Sequence, residues 1–194
     1  MIYIYHIEAL SKEEQSQLLL AADACRLPVG LIGERDIHKT VEECLDSISA
    51  LDMQTFTPLE TIDTEAFMLM HIDDLALDSF LAAMRKYKVY ISHKCMVTEK
   101  NRTWTIQKLI GDVTEEHALM SVLMTLQKLV SVAKEFDASG YEPFLWLDFQ
   151  NKLHEAEDLM AHVGKVEIAV EDANHTFERF NNAVMALIQS KKKA

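Results

Sequence analysis

Glycine and proline are scarce in this chain of 194 residues, which contains 5 glycines and 3 prolines. An all-β protein needs many tight turns, and these two residues supply much of the turn chemistry, so that class of protein is disfavoured. Hydrophobic residues make up 49% of the chain, which is too many for a disordered protein. The sequence therefore predicts one or two small folded domains that are not all-β.

Long apolar runs and paired cysteines are also missing. No window approaches the ~18 uninterrupted apolar residues that a membrane-spanning helix needs. The three cysteines, Cys25, Cys44 and Cys95, are odd in number and far apart, which is typical of reduced thiols rather than of a disulfide framework. The first ten residues have neither the basic segment nor the cleavage site of a signal peptide. We therefore expect a cytoplasmic protein.

Basic residues are outnumbered by acids. The chain has 19 lysines and arginines against 31 aspartates and glutamates, so its formal net charge is −12. A surface of this sign repels phosphate backbones and anionic lipid headgroups. Nucleic acids and membranes are therefore not expected as partners.

The first 112 residues alternate between short segments typical of strands and longer segments typical of helices. Strands are predicted at 1–7, 29–32, 66–72 and 89–97 because these segments are rich in β-branched and aromatic residues. We expect the first helix to begin at Ser11, which Glu13 and Glu14 follow, and the second to be capped by Asp36. The intervening segment 50–65 has no clear period and is predicted to be a linker.

The pattern of residues 1–49 returns in residues 66–112. His6-Ile7-Glu8 matches His71-Ile72-Asp73, and Thr40-Val41 matches Thr105-Ile106, at one offset of 71 − 6 = 65 positions. We therefore predict an α+β fold in which a duplicated βαβα unit forms a small four-stranded sheet about a pseudo-two-fold axis. The alternative is that two ordinary β-α units share a strand end by chance.

Residues 113–194 are predicted to be a helical region. Apolar residues recur every three or four positions from Leu119 to Phe136 and from Ala156 to Leu187, as in coiled coils. We expect a long-helix hairpin or a coiled-coil-like half, with a helix start at Thr114 and a kink or break at Gly164. The apolar repeat from Ala156 to Leu187 is longer than the repeat from Leu119 to Phe136. Its surplus apolar surface predicts a homodimer through these helices, with packing on the α/β half or an unidentified protein partner as alternatives.

Basic residues concentrate between Arg85 and Lys108, where seven lysines and arginines accompany one acid, Glu99. The segment 98–104 lies there between a predicted strand and a predicted helix, and such positions bind anions. The sequence favours a basic face that docks on the protein's own acidic helical half. The alternative is a site for a small anionic ligand, nucleotide-like or a phosphorylated metabolite. The candidate ligand-binding residues are Lys94, Thr98, Lys100, Asn101, Arg102 and Trp104.

The same segment carries a family resemblance. A strand led by Glu65 is followed by the patterns K-x-x-x-T and N-x-x-W, which begin at Lys94 and Asn101. With these residues the segment 65–120 resembles a small bacterial domain family that is catalogued only as a domain of unknown function. The resemblance implies no activity, but it implies that Lys94, Thr98, Asn101 and Trp104 belong together. Cys95 departs from the small residue expected after the lysine.

Catalytic signatures are not found. The sequence contains no G-x-S-x-G, C-x-x-C or H-E-x-x-H motif, and we assign no catalytic residue, metal ligand or cofactor. His6 and His71 occupy matching strand ends, for which the alternatives are a symmetric metal or polar site and ordinary strand-end residues. We therefore expect a non-enzymatic interaction or regulatory protein, and the alternative is an anionic-ligand sensor that uses residues 98–104.

Overall fold

The computed structural model describes residues 1–191 and divides into two compact units. Unit 1 is Met1–Thr114 and unit 2 is Glu115–Ala194. Among the described residues no helix has both the length and the apolar character needed to cross a lipid bilayer.

Unit 1 contains the predicted four-stranded sheet. Its strands are β1 (Ile2–Tyr5), β2 (Val29–Ile32), β3 (Phe67–Met70) and β4 (His93–Met96), in the order β2-β1-β3-β4. β1 is parallel to β2 and β3 is parallel to β4, whereas the central pair β1 and β3 is antiparallel. The four-stranded sheet is thereby confirmed, and the mixed α/β architecture with it.

The helices of unit 1 begin at capping residues. They are α1 (Lys12–Ala24), α2 (Val41–Ser47), α3 (Asp74–Lys86) and the first part of α4 (Ile106–Ala133), and a single 3₁₀ turn spans Ile7–Ala9. Ser11 forms a capping box with Glu14 at the start of α1, as the sequence indicates. The prediction that Asp36 caps the next helix is wrong, because Thr40 and Glu43 form the capping box of α2. Asp36 instead accepts the Gly33 N–H at 2.9 Å.

The sheet lies between two layers of helices. Successive side chains of a strand point to opposite faces, so Ile4 packs with α1 and α3, whereas Tyr3 packs with α2 and the start of α4. Leu69 shares the second core with Ile106, which is fully buried. Unit 1 is therefore a three-layer α/β/α arrangement.

A buried glutamine helps to fix the segment 50–65 to this unit. Gln15 of α1 is fully buried, and its amide donates to the carbonyl oxygens of Leu10 and Leu59 at 2.9 and 3.0 Å. Its own oxygen accepts the Leu59 N–H at 2.8 Å. The predicted linker therefore follows a defined path over α1.

Positions 65 residues apart are paired reciprocally in unit 1. Thr40 forms a bridge with Thr105; the Val41 N–H donates to Trp104 O at 2.9 Å, and the Ile106 N–H donates to Lys39 O at 3.0 Å. The central strands repeat this reciprocity, with Ile2 opposite Met70 and Tyr5 opposite Phe67. The pairing of the central strands is thus reciprocal, whereas the outer strands differ by one position, with Val29 opposite Ile2 but His93 opposite Phe67.

Helix α4 runs through the position where a new helix was expected to begin. The prediction of a start at Thr114 is wrong, because the Thr114 hydroxyl donates to Ile110 O at 2.8 Å inside the helix. Gly111 costs about 1 kcal/mol against alanine in a helix, which is too little to end one that continues on both sides.

Unit 2 is helical, with three helices around one core. The end of α4 packs with α5 (Pro143–His162) and α6 (Val170–Lys191) around Leu126, Phe149 and Phe180. The phenyl rings of Phe149 and Phe180 stack with centroids 6.0 Å apart. Gly164, at φ +76°, lies between α5 and α6, so the long seam is divided between two helices. Three helices therefore contribute to the core of unit 2, whereas the sequence predicted a hairpin of two.

Candidate functional site

The loop after β4 is held together by the polar side chains that were predicted to bind a ligand. Asn101 is 8% exposed; its oxygen accepts the Thr98 N–H at 2.8 Å, and its amide donates to Met96 O at 2.9 Å. The Thr98 hydroxyl accepts the Asn101 N–H at 3.3 Å. These groups stabilise the loop itself, in the way that Asp36 holds Gly33 in the first half of unit 1.

The N–H groups at the start of α4 are already paired. Ile106 and Gln107 donate to the carbonyl oxygens of Lys39 and Ile37, at 3.0 and 2.9 Å. The N–H groups of Lys108 and Leu109 donate to the hydroxyl and the carbonyl oxygen of Thr105. The free N–H groups that let a helix terminus bind an anion are therefore all used here.

Two lysines lie over the ring of Trp104. The ammonium groups of Lys100, in the loop, and Lys108, in α4, lie 5.6 and 4.0 Å from the centroid of the indole. The Arg102 guanidinium instead lies 3.5 Å from the Glu42 carboxylate of α2. The structure thus forms a basic patch of Lys100, Lys108 and Trp104, and it pairs Arg102 with α2.

Lys94 lies apart from that patch. Its ammonium donates to Ile91 O at 2.9 Å and lies over the Tyr90 ring. Lys94 is opposite Met68 in the sheet and so belongs to the face covered by α1 and α3, whereas Trp104 packs on the other face. The sheet therefore lies between the Lys94 side chain and Trp104.

A pocket that sequence reasoning missed opens at one end of the sheet. It has a volume of about 330 Å³ and lies where β1 ends and β3 and β4 begin. Phe67 and Ile110 supply an apolar surface, and His6 and His93 line it as well. The lining residues of β1, β3 and β4 are far apart in the sequence and become neighbours through the order of the strands in the sheet. The sequence pattern does not predict that order.

His6 lies on one side of the pocket, where three neighbouring side chains contact its ring. Its Nε2 lies 2.8 Å from the Glu34 carboxylate, its Nδ1 lies 3.4 Å from the Thr64 hydroxyl, and its ring stacks on Tyr5 at 3.7 Å. The Tyr5 hydroxyl donates to the same Glu34 oxygen at 2.9 Å. Burial and this hydrogen bond raise the pKa of Tyr5 to about 12, and the bonds from His6 and Tyr5 lower the pKa of Glu34.

His93 forms a second histidine–carboxylate pair in the pocket. Its Nδ1 lies 2.5 Å from the Glu65 carboxylate, and the His93 side chain is 9% exposed, whereas that of Glu65 is 68% exposed. Within residues 1–191, three or more histidine, cysteine or acidic side chains are nowhere arranged to hold a metal ion.

His6 and His71 do not share a site. β1 and β3 are antiparallel, so their matching ends point to opposite ends of the sheet. The His71 N–H donates to Met1 O at 3.0 Å, and burial lowers the pKa of the His71 imidazole. The alternative of a symmetric histidine site is therefore wrong.

Comparison with known families gives one match. Residues 65–120 match a family described as Domain of unknown function (DUF3783), and this confirms the resemblance over that segment. The match begins two residues before β3 and ends within α4, so it covers the second half of unit 1. Neither a search of curated proteins nor a search of solved structures finds a significant match.

Proposed function

We propose that this protein is a non-enzymatic interaction or regulatory module whose unit 2 binds a second copy of the chain. The observation that carries the proposal is a pair of apolar side chains on α5. Phe144 is 77% exposed and Leu147 is 59% exposed, although the same helix buries Phe149 completely.

The pair lies on one side of the helix, since positions three apart are neighbours on a helix surface. Contiguous exposed apolar side chains mark interaction sites, and aromatic residues dominate binding energy at such sites. A two-fold dimer uses the same patch on both subunits, so one Phe144–Leu147 pair would contact its counterpart. Met120 and Met124 of α4 are also about half exposed and extend the apolar surface of unit 2.

Substitution of this pair tests the proposal. We expect Phe144→Ser combined with Leu147→Ser to convert a dimer to a monomer in light scattering at micromolar concentration. Leu75→Ser is the matched control, because Leu75 is 84% exposed but lies in unit 1. A dimer that survives the double substitution, or that Leu75→Ser also dissociates, would contradict the proposal.

The second candidate function is binding of a small anionic ligand at the basic patch around Trp104. The two ammonium groups over the indole favour it, since a nucleotide-like base can stack while lysines bind its phosphate. The paired helix amides count against it, so the affinity must come from side chains alone. We expect ATP to raise the melting temperature of the wild-type protein and to lose this effect in Lys100→Ala/Lys108→Ala. No shift with the wild-type protein would eliminate this candidate.

The reciprocal pairing of positions 65 apart supports a further part of the proposal, that the two βαβα halves of unit 1 descend from one duplicated unit. The hydrogen bonds of Asp36 to Gly33 and of Asn101 to Thr98 support it too, because 101 − 36 and 98 − 33 both equal 65. We also propose a cytoplasmic location, which is supported by the three cysteines, Cys25, Cys44 and Cys95, none of which forms a disulfide.

A further inference from the structure

We infer that the pocket between His6 and His93 binds a small organic cation, an ammonium group attached to an apolar body. This site is independent of the dimer surface, because all the residues that line it belong to unit 1. Its volume of about 330 Å³ is at the lower end of the range of ~300–1,000 Å³ seen for ligand pockets.

Charge decides the class of ligand. One carboxylate, Glu65, lies in the lining of the pocket, a second, Glu34, bonds to the lining residue His6, and the lining contains no lysine or arginine. An anion therefore meets no fixed positive charge in the pocket, whereas an ammonium group meets a carboxylate.

The carboxylates are already oriented. One oxygen of Glu34 accepts from both Tyr5 and His6, and one oxygen of Glu65 pairs with His93. The other oxygen of Glu65, which lines the pocket, takes part in none of these bonds and can accept from an ammonium N–H. Because the partners fix the carboxylates beforehand, binding costs little side-chain ordering.

The backbone at His6 is held in an uncommon conformation. His6 has φ 52° and ψ 52°, a left-handed conformation that is uncommon outside glycine, although histidine adopts it more readily than most residues. Such conformations persist where surrounding contacts enforce them, and they cluster at ligand sites. Here the stack on Tyr5 and the bonds to Glu34 and Thr64 provide those contacts.

The remaining surface suits an apolar body. Phe67 is 1% exposed and, with Ile110, presents hydrocarbon to the pocket. The Tyr5 ring adds an aromatic face, and aromatic faces attract cations. A ligand with both a positive charge and an apolar group therefore satisfies more of the site than either alone.

Three probes of one shape test the charge requirement on the wild-type, full-length protein. Benzylamine, benzyl alcohol and benzoate are titrated while the imidazole C–H resonances of His6 and His93 are followed by NMR. We expect a saturable shift of both histidines with benzylamine and none with benzoate. An equal response to benzyl alcohol or to benzoate, or no saturable response to benzylamine, would overturn the inference.

A variant pair locates the binding. Glu65→Gln keeps a hydrogen-bonding group beside His93 but removes the charge, and loss of a charge-assisted hydrogen bond should weaken benzylamine binding roughly tenfold. Glu60→Gln is the control, because Glu60 is 87% exposed and pairs with Lys12 outside the pocket. Equal affinity of the two variants for benzylamine would refute the site. If Glu65→Gln does not fold, the titrations of the wild-type protein with the three probes decide the question.

Discussion

At the scale of single residues, the polar side chains of unit 1 act mainly on their own backbone. Asn101 braces the loop after β4, and Gln15 fixes the segment 50–65. Tyr5 and His6 converge on Glu34. Buried polar groups need such partners, because an unpaired one costs about 1–3 kcal/mol. Each of these bonds therefore predicts a measurable effect.

The first residue-scale prediction concerns ionisation of Tyr5. Its raised pKa means that the folded protein holds the phenolic proton more tightly than the unfolded chain does. The resulting stabilisation is complete below pH 10 and is lost as the pH rises towards about 12. The tyrosinate absorbance of the wild-type protein minus that of Tyr5→Phe should therefore titrate near pH 12. A difference that titrates near the ordinary value of 10 would contradict the Tyr5–Glu34 contact.

The second residue-scale prediction concerns Asn101. Asn101→Ala leaves the Thr98 N–H and the Met96 carbonyl without their partner, and should lower the free energy of unfolding by about 1–3 kcal/mol in urea. Asn151→Ala, on the exposed side of α5, is the control and should change it by less than about 0.5 kcal/mol. Equal effects of the two substitutions would argue against a bracing role.

The sequence pattern grouped Asn101 and Thr98 with Lys94 and Trp104 and assigned them to a ligand. The residue types fit both roles, because amides and hydroxyls bond loop backbone as readily as phosphate. Which role applies depends on whether the neighbouring N–H groups are free, and that depends on the contact with residues 37–39 of the first half. Such a contact between distant segments cannot be deduced from spacing.

At the scale of elements, periodicity and capping patterns predicted most of the strands and the start of α1. Two predicted helix starts were wrong. Thr40 and Glu43, rather than Asp36, form the cap of α2, and α4 continues through Thr114. The pocket was missed at this scale too. Its residues come from the ends of different strands, and the antiparallel pairing of β1 and β3 determines which ends meet.

The element-scale prediction concerns the attachment of segment 50–65 to α1. Gln15→Leu preserves size but removes the partner of the Leu59 N–H and of the Leu59 carbonyl oxygen, so it should lower the free energy of unfolding by about 1–3 kcal/mol. It should also speed hydrogen exchange of the Leu59 amide. Gln17→Leu is the matched control, since Gln17 bonds only to Glu13 within the same helix. Unchanged exchange at Leu59 would contradict this attachment.

At the scale of the whole molecule, the two units present different surfaces. Unit 1 contains a small pocket lined by the Glu65 carboxylate, and unit 2 has exposed apolar helix surface. The composition indicated an acidic protein, but it did not indicate which apolar side chains are exposed. Exposure in unit 2 depends on its three-helix core, which buries Phe149 and leaves Phe144 exposed.

Sedimentation velocity of the wild-type chain across micromolar concentrations tests the central claim, self-association through unit 2, most directly. The account predicts a species of twice the 22.1 kDa chain mass that dissociates on dilution. A single species of 22.1 kDa at every concentration would contradict it.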